Sequence, residues 1–136
     1  MKSQEIVVYH NPACGTSRNV LAALDQSGIK PTVVEYLKAG WTRGVLTDLL
    51  ARMGAGPRAI LRTRGTQAEA LGLTDPAASD DAILDAMIAD PILVERPIVA
   101  TPRGVTVARP AEKAFDVLDE RPESFVKTDG TVVRVR

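Results

Sequence analysis

The sequence predicts a mixed α/β layer fold in which a β-α-β half and a β-β-α half are separated by a helical insertion. Three observations carry that prediction. A β-branched run ends in a loop and is followed by helically spaced apolar residues. The stretch from Trp41 to Asp90 is helical in period throughout. Two short apolar runs then flank Pro102-Arg103-Gly104.

The first strand is read over residues 5–9, Glu-Ile-Val-Val-Tyr, ended by His10-Asn11-Pro12. Thr16 or Ser17 caps the helix that follows, where Val20, Leu21 and Leu24 share one face and Gly28 supplies the stop. A second strand, Thr32 to Leu37, completes the β-α-β unit, whose crossover is expected to be right-handed.

Thr42 caps a helix bearing Val45, Leu46, Leu49, Leu50 and Met53, closed by Gly54. Pro57 opens a shorter helix through Arg62. Ser79, with Asp80 and Asp81 in the first turn, starts another along Ile83, Leu84, Met87 and Ile88, ended at Asp90-Pro91. Residues 98–101 and 105–108 form a hairpin, and Pro110 opens a final helix carrying Ala114, Phe115 and Leu118. In the tail, about residues 121–136, Asp129-Gly130 before Thr131-Val132-Val133 reads as a small turn and strand.

A length of 136 residues suits one domain, with the helical insertion at about residues 41–90. The 45% apolar and 25% charged content is that of an ordinary water-soluble globular chain. Basic and acidic residues balance at 17 each, which argues against a nucleic-acid or anionic-membrane binder. No apolar run approaches the roughly 18 residues of a membrane span, and the first residues lack the pattern of a secretory leader. The expected compartment is the cytoplasm. One cysteine and one histidine leave no internal disulfide and no Cys/His zinc site, so no metal is expected.

Cys14 lies between Ala13 and Gly15 in the loop joining the first strand to the first helix. A lone cysteine is often a buried core residue. Here its place at a helix start, beside Thr16 and Ser17, favours a reactive thiolate, since a helix N-terminus and a nearby cation can draw a thiol from about 8.5 to roughly 3.5–7.5. Free amides at the same helix start would also attract an anion. His10, four residues earlier, could raise the thiolate fraction or be purely structural, and spacing leaves both open. Arg62, Arg96 and Arg109 sit at element ends beside prolines or turns; taken singly, each reads as a solvated surface arginine. Arg96-Pro97 is a candidate cis peptide, although only about 5–6% of X-Pro bonds are cis.

The run His10-Asn11-Pro12-Ala13-Cys14-Gly15-Thr16-Ser17-Arg18-Asn19 resembles the active-site signature of the glutathione- and glutaredoxin-dependent arsenate reductases. The resemblance continues through Tyr36-Leu37, Arg58 to Arg62, Leu71-Gly72-Leu73, Pro91 to Val99 and Arg109-Pro110. It implies a thioredoxin/glutaredoxin-like sheet with a helical insertion and a cis Arg96-Pro97 bond. It further implies that Cys14 is the nucleophile, that His10 helps hold it as thiolate and that Ser17 hydrogen-bonds near the sulfur. Arg62, Arg96 and Arg109 would bind the oxyanion. Arsenate is then the substrate, glutathione the co-substrate and glutaredoxin the protein partner, with no bound cofactor. Some relatives carry a second cysteine where this chain has Ala108.

Two other readings compete with arsenic detoxification. A glutathione-dependent thiol transferase or disulfide reductase of the same fold would use Cys14 but would not need Arg62 and Arg109. An RNA-polymerase-binding redox regulator of the same fold commonly shows Cys-x-x-Cys, and here the second position is Ser17.

Overall fold

Strand order β2-β1-β3-β4 defines the central sheet of the structure, a computed structural model that describes residues Met1–Arg136. β1 (Val7–His10) runs parallel to β2 (Thr32–Glu35) and antiparallel to β3 (Ile98–Thr101), which forms a hairpin with β4 (Gly104–Val107). The parallel pair is bridged by α1 (Gly15–Gln26), as a β-α-β crossover requires. This is the mixed sheet expected from the element order, with the thioredoxin-like arrangement that the resemblance implied.

The chain divides into two compact units, residues 1–35 with 96–136, and residues 36–95. In the first, alternation along β1 turns Val8 and His10 to the buried side. Val8 packs there with Ile6, Val20, Leu24, Val99 and Phe115. Ala108, at the position where some relatives have a thiol, is wholly buried in this core.

β1 starts two residues later than expected and includes His10, and three further local readings differ in the first unit. α1 is capped by Cys14 rather than by Thr16 or Ser17. The segment after Pro110 is a 3-10 helix, Ala111–Val117, preceded by a cis Arg109-Pro110 bond in addition to the cis Arg96-Pro97 bond. The tail forms a hairpin of β5 (Ser124–Val126) and β6 (Val132–Arg134), of which sequence pattern had indicated only the second strand. Phe125 anchors β5 by packing on Phe115, with ring centroids 6.3 Å apart. The Gln26 side chain pairs with both backbone polar groups of Val126, and Asn19 Oδ1 accepts from the Thr128 amide. α1 therefore carries the hairpin on its outer side.

The second unit begins where β2 stops two residues short of the expected end and the chain turns into the short helix α2 (Tyr36–Ala39). Tyr36 stacks on Trp41, and the indole N–H donates to the Pro91 carbonyl. α3 (Arg43–Met53) and α4 (Asp80–Ala89) start at Thr42 and Ser79, whose hydroxyls accept from the amides of Val45 and Ala82. Gly54 ends α3 in the left-handed conformation, at φ +67°. Pro57–Ile60 is a 3-10 turn rather than an α-helix. Leu46, Leu49, Ile60, Ile83, Met87 and Leu93 are among the most deeply buried side chains of this unit.

Candidate active site

β1 ends at His10, and the next four residues form a tight turn that delivers Cys14 to the head of α1. Asn11 holds the turn. Its carbonyl accepts from the Cys14 amide, its side-chain Oδ1 accepts from Ala13 N–H, and its own N–H donates to Ser17 Oγ at 3.3 Å. Arg18 closes the outside by donating to the Pro12 carbonyl at 2.8 Å. The Asn-Pro pair is a recognisable turn signal, but the bracing role of Asn11 was not anticipated.

Cys14 has an extended conformation as the N-cap residue, so its sulfur faces the amides of the first helical turn. No side-chain hydrogen bond of ordinary geometry closes that turn. The interaction with Ser17, the third helical residue, is a looser electrostatic one through both its amide and its hydroxyl. Arg109 donates to the sulfur from Nη1 at 3.6 Å and, from the same nitrogen, to the Arg96 carbonyl at 3.1 Å. The Arg96 side chain also points a donor at the sulfur.

These contacts decide the protonation state of the thiol. Burial pushes the Cys14 thiol up, but the Ser17 amide, the Arg96 guanidinium, the Ser17 hydroxyl and Arg109 outweigh it. They bring the thiol from 9.0 to about 7. The thiolate is thereby favoured at neutral pH over an ordinary cysteine, beside two guanidinium cations.

Arg96 differs from its neighbours in one respect. Its Nε and Nη1 atoms are buried and have no hydrogen-bond partner. Buried donors are nearly always satisfied, so an arginine with two open donors beside a nucleophilic sulfur is arranged to receive acceptor oxygens.

The residues expected at the site fall into three groups. Cys14, Ser17, Arg96 and Arg109 are brought together around one sulfur atom. His10 is buried nearby in sequence, opposite Glu35 on β2, and its Nδ1 has no partner. Burial lowers its pKa, Glu35 raises it and Arg18 lowers it, and the net direction is down. The imidazole is therefore neutral at pH 7, and the lowering of the Cys14 thiol comes mainly from Ser17 and the two arginines. Arg62 belongs to the helical unit, where it is 13% exposed and forms a 2.8 Å ion pair with Glu95. An isolated bridge between Leu61 and Val94 aligns the two segments, with the amide of Arg62 donating to Leu93 and that of Glu95 to Ile60. Glu95 was not singled out from sequence, because its partner is 33 positions away.

No three His, Cys, Asp or Glu side chains cluster as a metal site, and no helix is long and apolar enough to cross a membrane.

Known proteins resemble this chain in sequence and fold. The model of the ArsC family matches residues 9–117. The chain is 48% identical to an arsenate reductase of Synechocystis sp., over 98% of this chain and 93% of the relative. It is 45% identical to an arsenate reductase of Escherichia coli, over 94% of this chain and 92% of that one. A solved arsenate reductase from Vibrio cholerae superposes with a TM-score of 0.79 at 38% identity, covering 83% of this chain and 97% of the other.

Proposed function

The chain belongs to the ArsC family, and we propose that it reduces arsenate to arsenite through a covalent arsenic adduct on Cys14, with glutathione and glutaredoxin as external reductants. The observation that carries this reading is the Cys14 sulfur, drawn to about 7 by groups that include Arg96 and Arg109, beside the two open donors of Arg96. A nucleophile and an oxyanion clamp then share one spot.

The Cys14 thiolate attacks arsenic, an As–S bond forms, and one arsenate oxygen leaves as water or hydroxide. Arg96 and Arg109 hold the remaining oxygens in place of solvent. Arg62 carries its assignment to oxyanion binding on resemblance alone. His10, neutral at pH 7, acts in this reading by packing the turn that presents Cys14 rather than as a cation.

A chain with one cysteine cannot close a two-electron cycle with an internal disulfide. A glutathione thiolate adds to arsenic, and an S–S bond then forms between glutathione and Cys14 as the As–S bonds break. The electron pair goes to arsenic, which leaves as arsenite. Glutaredoxin removes glutathione from Cys14 by thiol-disulfide exchange and regenerates the thiol. The cytoplasm, with its reducing glutathione pool, suits that cycle. Arsenate and phosphate are nearly isosteric, so selectivity lies in the affinity of a soft thiolate for arsenic; steady turnover of phosphate esters would contradict this.

The test is arsenite formation from arsenate with glutathione, glutaredoxin and a recycling system, comparing the native chain with Cys14→Ser and Arg109→Ala. Activity lost in the first and strongly reduced in the second is expected. Reduction of a glutathione mixed disulfide without any arsenate reduction would move the assignment to a thiol transferase.

A further inference from the structure

Beside the head of α1 the C-terminal hairpin leaves a cleft of about 120 Å³, lined by residues that include Thr16, Asn19, Pro110, Glu112, Phe125 and Lys127. Its position ties it to the sulfur from two sides. Thr16 is in the first turn of the helix that Cys14 caps, and Pro110 follows Arg109, which donates to that sulfur. A larger cavity, of about 380 Å³, lies at the other end of α1, among Ile6, Gln26, Ile29 and Leu118, away from the chemistry.

The polar groups of the small cleft are of opposite sign. Lys127 comes from the turn after β5, and Glu112 from the 3-10 segment after Pro110. Both are half-buried and neither forms a contact ion pair, although the Lys127 ammonium also acts at longer range on Asp129 in the same turn. Phe125, Val133 and Pro110 supply an apolar floor. A purely anionic group would suit Lys127 but be repelled by Glu112. A zwitterion of the α-amino-acid type satisfies both, its carboxylate on Lys127 and its ammonium on Glu112.

We propose that this cleft seats the γ-glutamyl end of glutathione, Lys127 taking its α-carboxylate and Glu112 its α-ammonium, so that the thiol reaches the arsenic held on Cys14. The assignment rests on glutathione being the thiol donor, as proposed above. The other end of the tripeptide, a glycine carboxylate, has no cation to offer Glu112. Reach is sufficient, since an extended tripeptide spans about 10 Å while Thr16 lies only about 3 Å along the helix axis from Cys14. The volume admits one amino-acid head and leaves the rest of the tripeptide outside, directed at the sulfur.

The experiment is the KM for glutathione and for cysteinylglycine, a thiol without the γ-glutamyl group, in native chain, Lys127→Ala, Lys127→Arg and Glu112→Gln. Lys127→Ala and Glu112→Gln are expected to raise the glutathione KM about 1.5- to five-fold, the range of a partly exposed charge contact. The arsenate KM and the rate of Cys14 alkylation should not move, cysteinylglycine should be used equally by all four proteins, and Lys127→Arg should restore the native value. An unchanged glutathione KM, or an equal rise for both thiols, overturns the cleft alone. Absence of any glutathione-dependent turnover in the native chain overturns the functional reading and the cleft with it.

Discussion

In the helical unit, arginines close on partners supplied by that unit. Arg43 pairs with Asp81 and Asp85 across α3 and α4, and Arg62 pairs with Glu95. Arg58 donates to three carbonyls, those of Leu73, Asp75 and Ala78, and so ties down the loop before α4. In the sheet unit, Arg96 keeps two buried donors open and Arg109 spends one nitrogen on a sulfur atom and a carbonyl. The same residue type thus does two jobs, and what separates them is whether the protein supplies the acceptor. A satisfied guanidinium holds a loop or a helix pair. An unsatisfied one beside a thiolate stores the capacity to bind an oxyanion and contributes little to stability until it does.

The largest effect that probes this contrast is on chemistry. Cys14→Ser should lower arsenate reduction at least about 10³-fold, because a hydroxyl is not ionised at neutral pH. Its folded structure should survive, which circular dichroism and a melting curve will show. Activity that persisted would remove the sulfur from the centre of the site and leave the arginines around it unexplained.

Next in size is the linkage between that thiol and stability. The folded pKa, about 7, lies below the ordinary value of 9.0. Between pH 7 and 9 the folded state therefore holds less proton than the unfolded state. Relative to Cys14→Ser, the native chain should gain stability as pH rises through that window, to about 2–3 kcal/mol above it, and lose the advantage as pH falls to 7 and below. Urea unfolding at pH 6, 8 and 9.5 measures it; parallel curves would mean that the arginines do not polarise the sulfur.

Smaller again is the cost of removing a satisfied arginine. Arg58→Ala should destabilise by about 1–2 kcal/mol, since three charged hydrogen bonds are lost at an exposed position. The alkylation profile of Cys14 should be unchanged. Ser79→Ala, which removes the cap of α4, should cost about 1 kcal/mol in the same assay.

The smallest stability change is expected from Arg96→Met, within about 0.5 kcal/mol of native, because two unmatched buried donors go with it. Yet iodoacetamide alkylation against pH should place the thiol above 7 in this variant. A large loss of stability with an unmoved thiol would put Arg96 in the same class as Arg58 and dissolve the contrast.

How far the sequence disclosed all this varies with the range of the interaction. Thr42, Gly54 and Ser79 were readable as helix ends because a cap bonds within three or four residues of itself. The cap of α1 was misplaced by two or three positions for a tertiary reason. Ser17, which looked like a cap, has its hydroxyl turned back to the Asn11 amide and the sulfur. β5 escaped notice because three residues with one buried side chain, Phe125, show no period; its partner Phe115 and the Gln26 clamp come from distant sequence. The second cis bond, at Arg109-Pro110, was likewise invisible to base rates.

What the sequence determined by itself was local and repetitive: the alternation that makes β1 a strand, the helical spacing of α3 and α4, though not of residues 61–79, which form turns, and the placing of Cys14 in a strand-to-helix turn. Those follow from backbone geometry over a few residues. Beyond what the resemblance implied, the tertiary structure decided that Arg96 and Arg109 share the Cys14 sulfur and that Arg43 and Arg58 are spent on carboxylates and carbonyls. It also decided that burial lowers the pKa of His10 and that Glu112 and Lys127 share a cleft. Charge, burial and unmatched donors depend on neighbours 15 to 95 positions apart, and no local pattern records them.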